Sequence, residues 1–279
     1  MKSLLLVTLL FFSVNYLLAQ HIEYQPEDKV ILEKICSKLQ SEKQTSTANL
    51  VELVGKEFLG TPYVANTLEK IPEHLVINLR ELDCTTFGEN CLAIARTIKS
   101  GDASFENYTK ELQTLRYYNG IINGYPSRIH YFSDWIYEND KRGFVKRVSE
   151  QISHVPYPMD LNIMSTHPDS YKQLEGNQEF VKLIKQKEAE ISLRKMFYLP
   201  KDQISKYESQ LQDGDIVGLT TSVEGLDITH VGIIVHVNGQ VHLMHASSKE
   251  MKVIISDQTL EDYLNGRSSV SGIMVARPL

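Results

Sequence analysis

Apolar residues recur at helical spacing through the first half of the chain. Leu50, Val51, Val54 and Phe58 are one such stripe, with the period of an amphipathic helix. A short apolar run at residues 75–79 instead indicates a strand. Helices are predicted over residues 27–41, 47–59, 85–99, 104–116 and 177–193.

From residue 215 onward, short apolar runs alternate with turn residues, a pattern typical of strands. Helices first and strands last indicate an α+β fold in a single domain over residues 20–279. Residues 117–168 show no regular period, so we interpret residues 100–200 as an insertion that forms part of a substrate groove. Strands are predicted over residues 215–219, 230–237, 240–246, 253–256 and 270–276.

The first residues have the pattern of a secretory signal peptide. Lys2 is followed by an apolar run from Leu4 to Leu18, and Ala19 supplies a small residue for cleavage. We therefore predict a signal peptide over residues 1–19 and a periplasmic or secreted protein. The run is short for a membrane span, so no integral span is expected after cleavage.

Composition narrows the choice of partner. Hydrophobic residues make up 42% of the chain and charged residues 23%, as in an ordinary globular protein. The formal net charge is -6 and basic residues form no long run, which argues against nucleic acid as a partner. No cofactor motif is present, and we expect a monomer.

Cys84 is the candidate nucleophile. It lies where a predicted helix begins, directly after Asp83, which can cap that helix. The helix dipole and free N–H groups at such a position should lower the pKa of a thiol and favour the reactive thiolate. Cys36 and Cys91 fall on apolar helical faces and are interpreted as core thiols.

A hairpin selects the histidine partners. Asn238-Gly239 is a strong signal for a two-residue turn, in which Val237 pairs with Gln240. In that register His230 and His245 project from the same face as diagonal neighbours, roughly 5 to 8 Å apart. The predicted site is therefore a triad in which Cys84 attacks, His230 is the base and His245 orients it.

Two other classes of site remain open. Cys84, His230 and His245 are also zinc-ligand types, although no His-Glu-x-x-His motif is present and we expect no metal. A binding module without catalysis would need neither the free thiol nor the facing histidines.

The chain resembles the NlpC-type, papain-like cell-wall hydrolases in five motifs that occur in the family's order. In that family the Cys opens a helix, one strand His is the base and a later strand His is the third member. The resemblance assigns these roles to Cys84, His230 and His245, and places Tyr63 near the nucleophile. The motifs are Gly60-Thr61-Pro62-Tyr63, Leu82-Asp83-Cys84-Thr85-Thr86-Phe87, Gly214-Asp215-Ile216-Val217, His230-Val231-Gly232-Ile233-Ile234-Val235 and His245-Ala246-Ser247.

Departures from the common pattern resemble the N-acetylmuramoyl-L-alanine amidase-like branch of that superfamily. Asp-Cys-Thr-Thr replaces the usual Asp-Cys-Ser-Gly, and residues 64–69 replace Trp-Gly-Gly. The branch implies cleavage between the muramic acid lactyl group and L-Ala in peptidoglycan or muropeptides. Ordinary relatives instead cut between D-Glu and a diamino acid, which is the alternative activity. A non-enzymatic peptidoglycan-binding module is the other alternative. Candidate substrate-binding residues are Tyr63, Asp83, Thr85 and Asp227.

Overall fold

The computed structural model describes residues 22–279. The predicted signal peptide, residues 1–19, lies outside this described range and stays a prediction. Within residues 22–279, no helix is both long enough and apolar enough to cross a membrane.

Helices dominate the first half of the described chain, and strands dominate the end. The helices are α1 (Pro26–Leu39), α2 (Thr47–Glu57), α3 (Cys84–Ser100), α4 (Phe105–Arg116), α5 (Phe132–Lys141), α6 (Ser149–Ser153), α7 (Ile163–Thr166), α8 (Gln178–Ser192), α9 (Ile204–Tyr207) and α10 (Leu260–Asn265). The strands are β1 (Ile22–Glu23), β2 (Leu75–Val76), β3 (Val145–Arg147), β4 (Val155–Tyr157), β5 (Met196–Pro200), β6 (Ile216–Thr221), β7 (Ile228–Val237), β8 (Gln240–Ser247), β9 (Lys252–Thr259) and β10 (Val270–Pro278).

Within residues 22–279, the main sheet is antiparallel and has eight strands, in the order β4-β5-β10-β6-β7-β8-β9, with β3 also paired to β10. The helices α2 and α3 pack together, and α3 lies against β7 and β8. These elements confirm the α+β prediction. The apolar stripes of α2 and α3 form the core between the helices and the sheet.

The β7–β8 hairpin has the predicted turn and register. Asn238 and Gly239 both have positive φ, at 52° and 81°, as a two-residue type I′ turn requires. Val237 pairs with Gln240, and the same register continues to Ile233 opposite Met244. The hairpin prediction is therefore confirmed. The register matters for the site because it fixes which side chains share a face of the sheet.

The middle of the chain contributes strands to the main sheet, although residues 100–200 were expected to be an insertion. The strands β3, β4 and β5 all come from residues 145–200. Helix α5 was missed by the prediction, yet its Trp135 is only 1% exposed and lies in the main core. By contrast, the strand predicted at 75–79 is reduced to β2, which pairs in parallel with β1.

Candidate functional site

Cys84 is the first residue of α3, and the local sequence explains why the helix begins there. Asp83 is the N-cap: its Oδ1 accepts a hydrogen bond of 2.7 Å from the Thr86 backbone N–H. The Thr86 hydroxyl oxygen in turn accepts one of 2.9 Å from the Asp83 N–H. This reciprocal capping satisfies two free donors and fixes Cys84 at the helix N-terminus.

The Cys84 sulfur is half-buried and surrounded by hydrogen-bond donors. Burial raises the pKa of the thiol to about 11, and the negative charge of Asp83 adds to the rise. The Val231 backbone N–H, and the hydroxyl and N–H of Thr85, oppose that rise through hydrogen bonds to the sulfur. The expectation of a lowered pKa was therefore wrong: burial outweighs the helix N-terminus, and the resting thiol is neutral at pH 7.

His230 on β7 and His245 on β8 form a hydrogen-bonded pair. His230 Nε2 lies 2.7 Å from His245 Nδ1, and the two rings are almost perpendicular, with an interplanar angle of 85°. The sequence places these side chains on one face, and the structure brings them into direct contact. The remaining ring nitrogen of His230 is Nδ1.

Both imidazoles are neutral at pH 7. Burial lowers the pKa of His230 to about 3, with further lowering by His245 and by the positive charge of Arg267. Burial and then Arg267 lower the pKa of His245 to about 4. His245 Nε2 is buried and has no hydrogen-bond partner within residues 22–279, and the ring stacks edge-on against Tyr263 at 5.2 Å.

Cys84 and His230 line one cavity, which we call the aromatic cavity. Its volume is about 160 Å³. Cys84, Thr85 and His230 border it together with the aromatic side chains Tyr131, Phe132 and Tyr171. Residues 131–171 thus supply one wall of the space in front of the thiol, where a substrate acyl group could bind.

The four predicted substrate-binding residues have different surroundings. The backbone of Tyr63 forms a β-bridge with that of Leu82. Burial is the main cause that raises the pKa of the Tyr63 hydroxyl, and the negative charge of a nearby Cys84 thiolate is the second. Thr85 borders the aromatic cavity. Asp83 is engaged as the helix cap. Asp227 is 1% exposed, and its two carboxyl oxygens accept the backbone N–H groups of Ser133 and Ile228 at 2.8 and 2.7 Å.

Sequence reasoning missed several neighbours of the site. The Val231 group that contacts the Cys84 sulfur is a backbone N–H, so no side-chain motif in the sequence reports it. Tyr263 and Arg267 come from α10 and the loop after it, more than fifteen residues past His245. Tyr263 and Arg267 are four residues apart, which could have indicated that their side chains contact each other. That spacing gives no indication that Tyr263 packs against His245.

Within residues 22–279, no cluster of three His, Cys, Asp or Glu side chains has an arrangement that could hold a metal ion. The zinc alternative also conflicts with the histidine geometry. His230 Nε2 and His245 Nδ1 bind each other at 2.7 Å, so neither nitrogen is free to donate a lone pair to a shared ion.

Comparison with known proteins assigns a family. Residues 53–273 match the model of the AmiA-like, N-acetylmuramoyl-L-alanine amidase-like family. The chain belongs to this amidase-like family. A search of curated proteins gave no match.

Solved structures agree with this assignment to the amidase-like family. A crystal structure of an N-acetylmuramoyl-L-alanine amidase from Bacteroides uniformis ATCC 8492 is 38% identical, with a TM-score of 0.80 over 83% of this chain and 98% of that one. A Bacteroides fragilis protein, provisionally described as a xylanase, is 40% identical, with a TM-score of 0.77 over 82% and 99%. A Legionella pneumophila protein at 22% identity and TM-score 0.69 shares the fold, over 91% and 95%.

Proposed function

We propose that the protein is a cysteine amidase that hydrolyses the N-acetylmuramoyl-L-alanine bond of peptidoglycan fragments through a thioester. The observation that carries the proposal is the 2.7 Å contact of His245 with His230, which lines the same cavity as Cys84. A nucleophile, a base and an orienting group are the components that such an acyl transfer needs.

His230 acts as the general base through Nδ1. Because Nε2 is bound to His245, Nδ1 is the ring nitrogen left for the thiol. This role requires that His230 Nε2–H donates to His245 Nδ1, which keeps Nδ1 of His230 unprotonated. The thiol is neutral and so is the imidazole, so the proton moves from sulfur to Nδ1 as the sulfur attacks.

Attack of the Cys84 sulfur on the amide carbonyl forms a tetrahedral oxyanion. The first turn of a helix has N–H groups without internal acceptors, and in this proposal the one nearest the sulfur at the start of α3 binds the oxyanion. The Cys84 N–H and the Tyr63 hydroxyl are the donors that we assign to the oxyanion. His230 then gives its proton to the leaving amine, and the thioester is hydrolysed by a water molecule that His230 deprotonates.

The family supports a cell-wall substrate, and the architecture fits a papain-like core. The cysteine-bearing α3 packs on the antiparallel strands β7 and β8, which carry the two histidines. In this proposal the muramoyl half of the substrate occupies the aromatic cavity, where Tyr131 and Tyr171 offer apolar faces to a sugar ring. The predicted signal peptide and a cell-wall substrate together support a periplasmic or secreted location.

The description of the Bacteroides fragilis relative raises glycoside hydrolysis as another possibility. That reaction generally uses two carboxyl groups about 5 to 9.5 Å apart across the scissile bond. Among residues 22–279, Asp227 is the single carboxyl group on the wall of the aromatic cavity, and both of its oxygens are engaged by backbone N–H groups. We therefore propose no glycosidase activity for this chain.

Mass spectrometry of defined muropeptides tests the proposal. Incubation with the wild type should separate the N-acetylmuramoyl product from a peptide that begins with L-Ala, and Cys84→Ala should lower kcat at least about a thousandfold. Cleavage between D-Glu and the diamino acid would instead establish the endopeptidase alternative.

Cys91→Ala is the matched control, because Cys91 lies on the same helix but is 0% exposed in the core. It should keep kcat near the wild-type value while lowering the free energy of unfolding. Undiminished cleavage by Cys84→Ala would overturn the thiol mechanism.

A further inference from the structure

A second cavity lies on the other side of His230. It shares Thr229 and His230 with the aromatic cavity and continues past His245, with a volume of about 310 Å³. Among residues 22–279, the formally charged side chains that line it are Arg267 and Lys249, and no carboxylate lines it. Lys249 is exposed and lies 3.8 Å from the carboxylate of Glu250, which is outside the cavity wall. We call it the cationic cavity. The charge of its lining residues is positive, whereas the net charge of the whole chain is -6.

Arg267 is held in place by the residues around it. Its guanidinium lies 3.4 Å from the centre of the Tyr263 ring, and Nη1 donates a hydrogen bond of 2.7 Å to the Tyr263 carbonyl. A guanidinium has five N–H donors in a planar fork, so several remain for a ligand. A fixed fork loses little side-chain entropy when a carboxylate binds.

Arg267 lacks the carboxylate partner that is usual for arginines in this fold. Arg116 pairs with Glu89 at 2.8 Å, and Arg277 pairs with Asp215 at the same distance. Within residues 22–279, the guanidinium of Arg267 has no carboxylate in pairing range, and it donates to the backbone carbonyl of Tyr263. An unpaired guanidinium on the wall of a cavity beside the catalytic pair is the arrangement expected for an anion subsite.

The direction of the reaction indicates which half of the substrate meets this cavity. The acyl half becomes bound to Cys84, which borders the aromatic cavity and does not line the cationic one. The amine half leaves after His230 protonates it, and His230 is the residue that both cavities share. In a muropeptide the amine half is the stem peptide, and its D-Glu carries a free α-carboxylate next to L-Ala.

We propose that Arg267, with Lys249 at the rim, binds the α-carboxylate of D-Glu in the stem peptide and makes the enzyme select unamidated stems. This inference rests on the proposed amidase function. It adds a substrate class: muropeptides whose second residue is D-Glu, in preference to those with the neutral D-isoglutamine.

Two muropeptides that differ only at that group test the proposal. The wild type should cleave the carboxylate form with a kcat/KM about ten- to a hundredfold above that of the carboxamide form, the range for a hydrogen bond to a charged group. Arg267→Gln should bring the ratio close to one, and Arg267→Lys should give an intermediate ratio. Lys252→Gln, which removes an exposed cation outside the cationic cavity, should keep the wild-type ratio.

The ratio is insensitive to a general loss of folding or activity, since that loss affects both substrates. Equal cleavage of both forms by the wild type, or an unchanged ratio in Arg267→Gln, would overturn the subsite while leaving the amidase function intact. If the wild type cleaves neither form, the amidase proposal fails, and calorimetry still tests the subsite. Cys84→Ala should then bind L-Ala-D-Glu more tightly than L-Ala-D-isoglutamine, and equal affinities would reject the subsite.

Discussion

His230 Nε2 and His245 Nδ1 lie 2.7 Å apart, across two neighbouring strands. The contact ties the protonation of one imidazole to that of the other, because a single proton occupies the space between the two nitrogens. With the proton on His230, Nδ1 of that ring is a base; with the proton on His245, Nδ1 of His230 carries a proton and cannot accept one. In the proposed mechanism, the pair therefore decides whether His230 can activate Cys84.

Substitutions of His245 should depend on which ring nitrogen they imitate. The Asn oxygen occupies a position similar to Nδ1, so His245→Asn should retain an acceptor for His230 Nε2–H. His245→Gln places its amide where Nε2 was and loses that acceptor. We expect kcat to fall about 10²- to 10⁴-fold in His245→Ala and His245→Gln, and distinctly less in His245→Asn. Equal losses in the Asn and Gln variants would contradict the orienting role.

The acid limb of the activity profile should lie well below the pKa of an ordinary imidazole. Burial, His245 and Arg267 lower the pKa of His230 to about 3, so the base stays neutral when the pH falls from 7 to 5. We expect kcat/KM to change little over that interval, and Arg267→Gln should move the acid limb to higher pH. Half-loss of wild-type activity near pH 6.5 would contradict this expectation.

Folding must be followed at each pH during that measurement. A histidine whose pKa is lowered in the folded state binds fewer protons than it does when unfolded. The free energy of unfolding therefore decreases as the pH falls from about 6.5 towards 3, by at most about 1.4 kcal/mol per pH unit for each such histidine. Circular dichroism at each pH separates this loss of structure from protonation of the base.

Asp227→Asn should lower stability more than it changes substrate binding. The carboxyl oxygens of Asp227 accept N–H groups from Ser133 and Ile228, and an amide offers one acceptor and one donor in their place. One buried N–H is then left unpaired, at a cost of about 1 to 3 kcal/mol. Urea unfolding should show this loss, with KM close to the wild-type value at a temperature where the variant is folded. A raised KM without loss of stability would instead indicate that Asp227 contacts the substrate.

Gly214→Ala should be severely destabilising. Gly214 has a φ of +84°, and a Cβ atom built there would lie 1.8 Å from the Ala48 carbonyl oxygen, which belongs to the helix α2. No rotamer relieves a clash with backbone, so we expect a loss above about 3 kcal/mol or failure to fold. Gly143→Ala is the matched control. Gly143 also has a positive φ, +71°, but a Cβ atom built there would have no non-neighbouring atom within 4 Å. The variant should therefore lower the free energy of unfolding by only about 1 kcal/mol. Similar midpoints of thermal unfolding for the two variants would refute the clash.

Local sequence determined the frame of the site. Asn238-Gly239 fixes a turn with positive φ at both positions, and the turn sets the register that puts His230 and His245 on one face. Asp83 and Thr86 fix the start of α3 at Cys84. These features were predictable because each depends on residues a few positions apart, through turn chemistry, strand alternation or helix capping. The helix α5 was missed, although Phe132, Trp135 and Ile136 recur at helical spacing and could have indicated it.

Tertiary structure decided the electrostatics and the walls of the cavities. The pKa of Cys84 rises because the folded chain buries the sulfur, an effect that overrides the helix N-terminus visible in the sequence. The aromatic wall comes from residues 131–171, far from both Cys84 and His230 in the chain, and Arg267 reaches the histidines only because α10 packs on the sheet. Burial and long-range packing depend on the whole fold, so no local pattern in the sequence reports them.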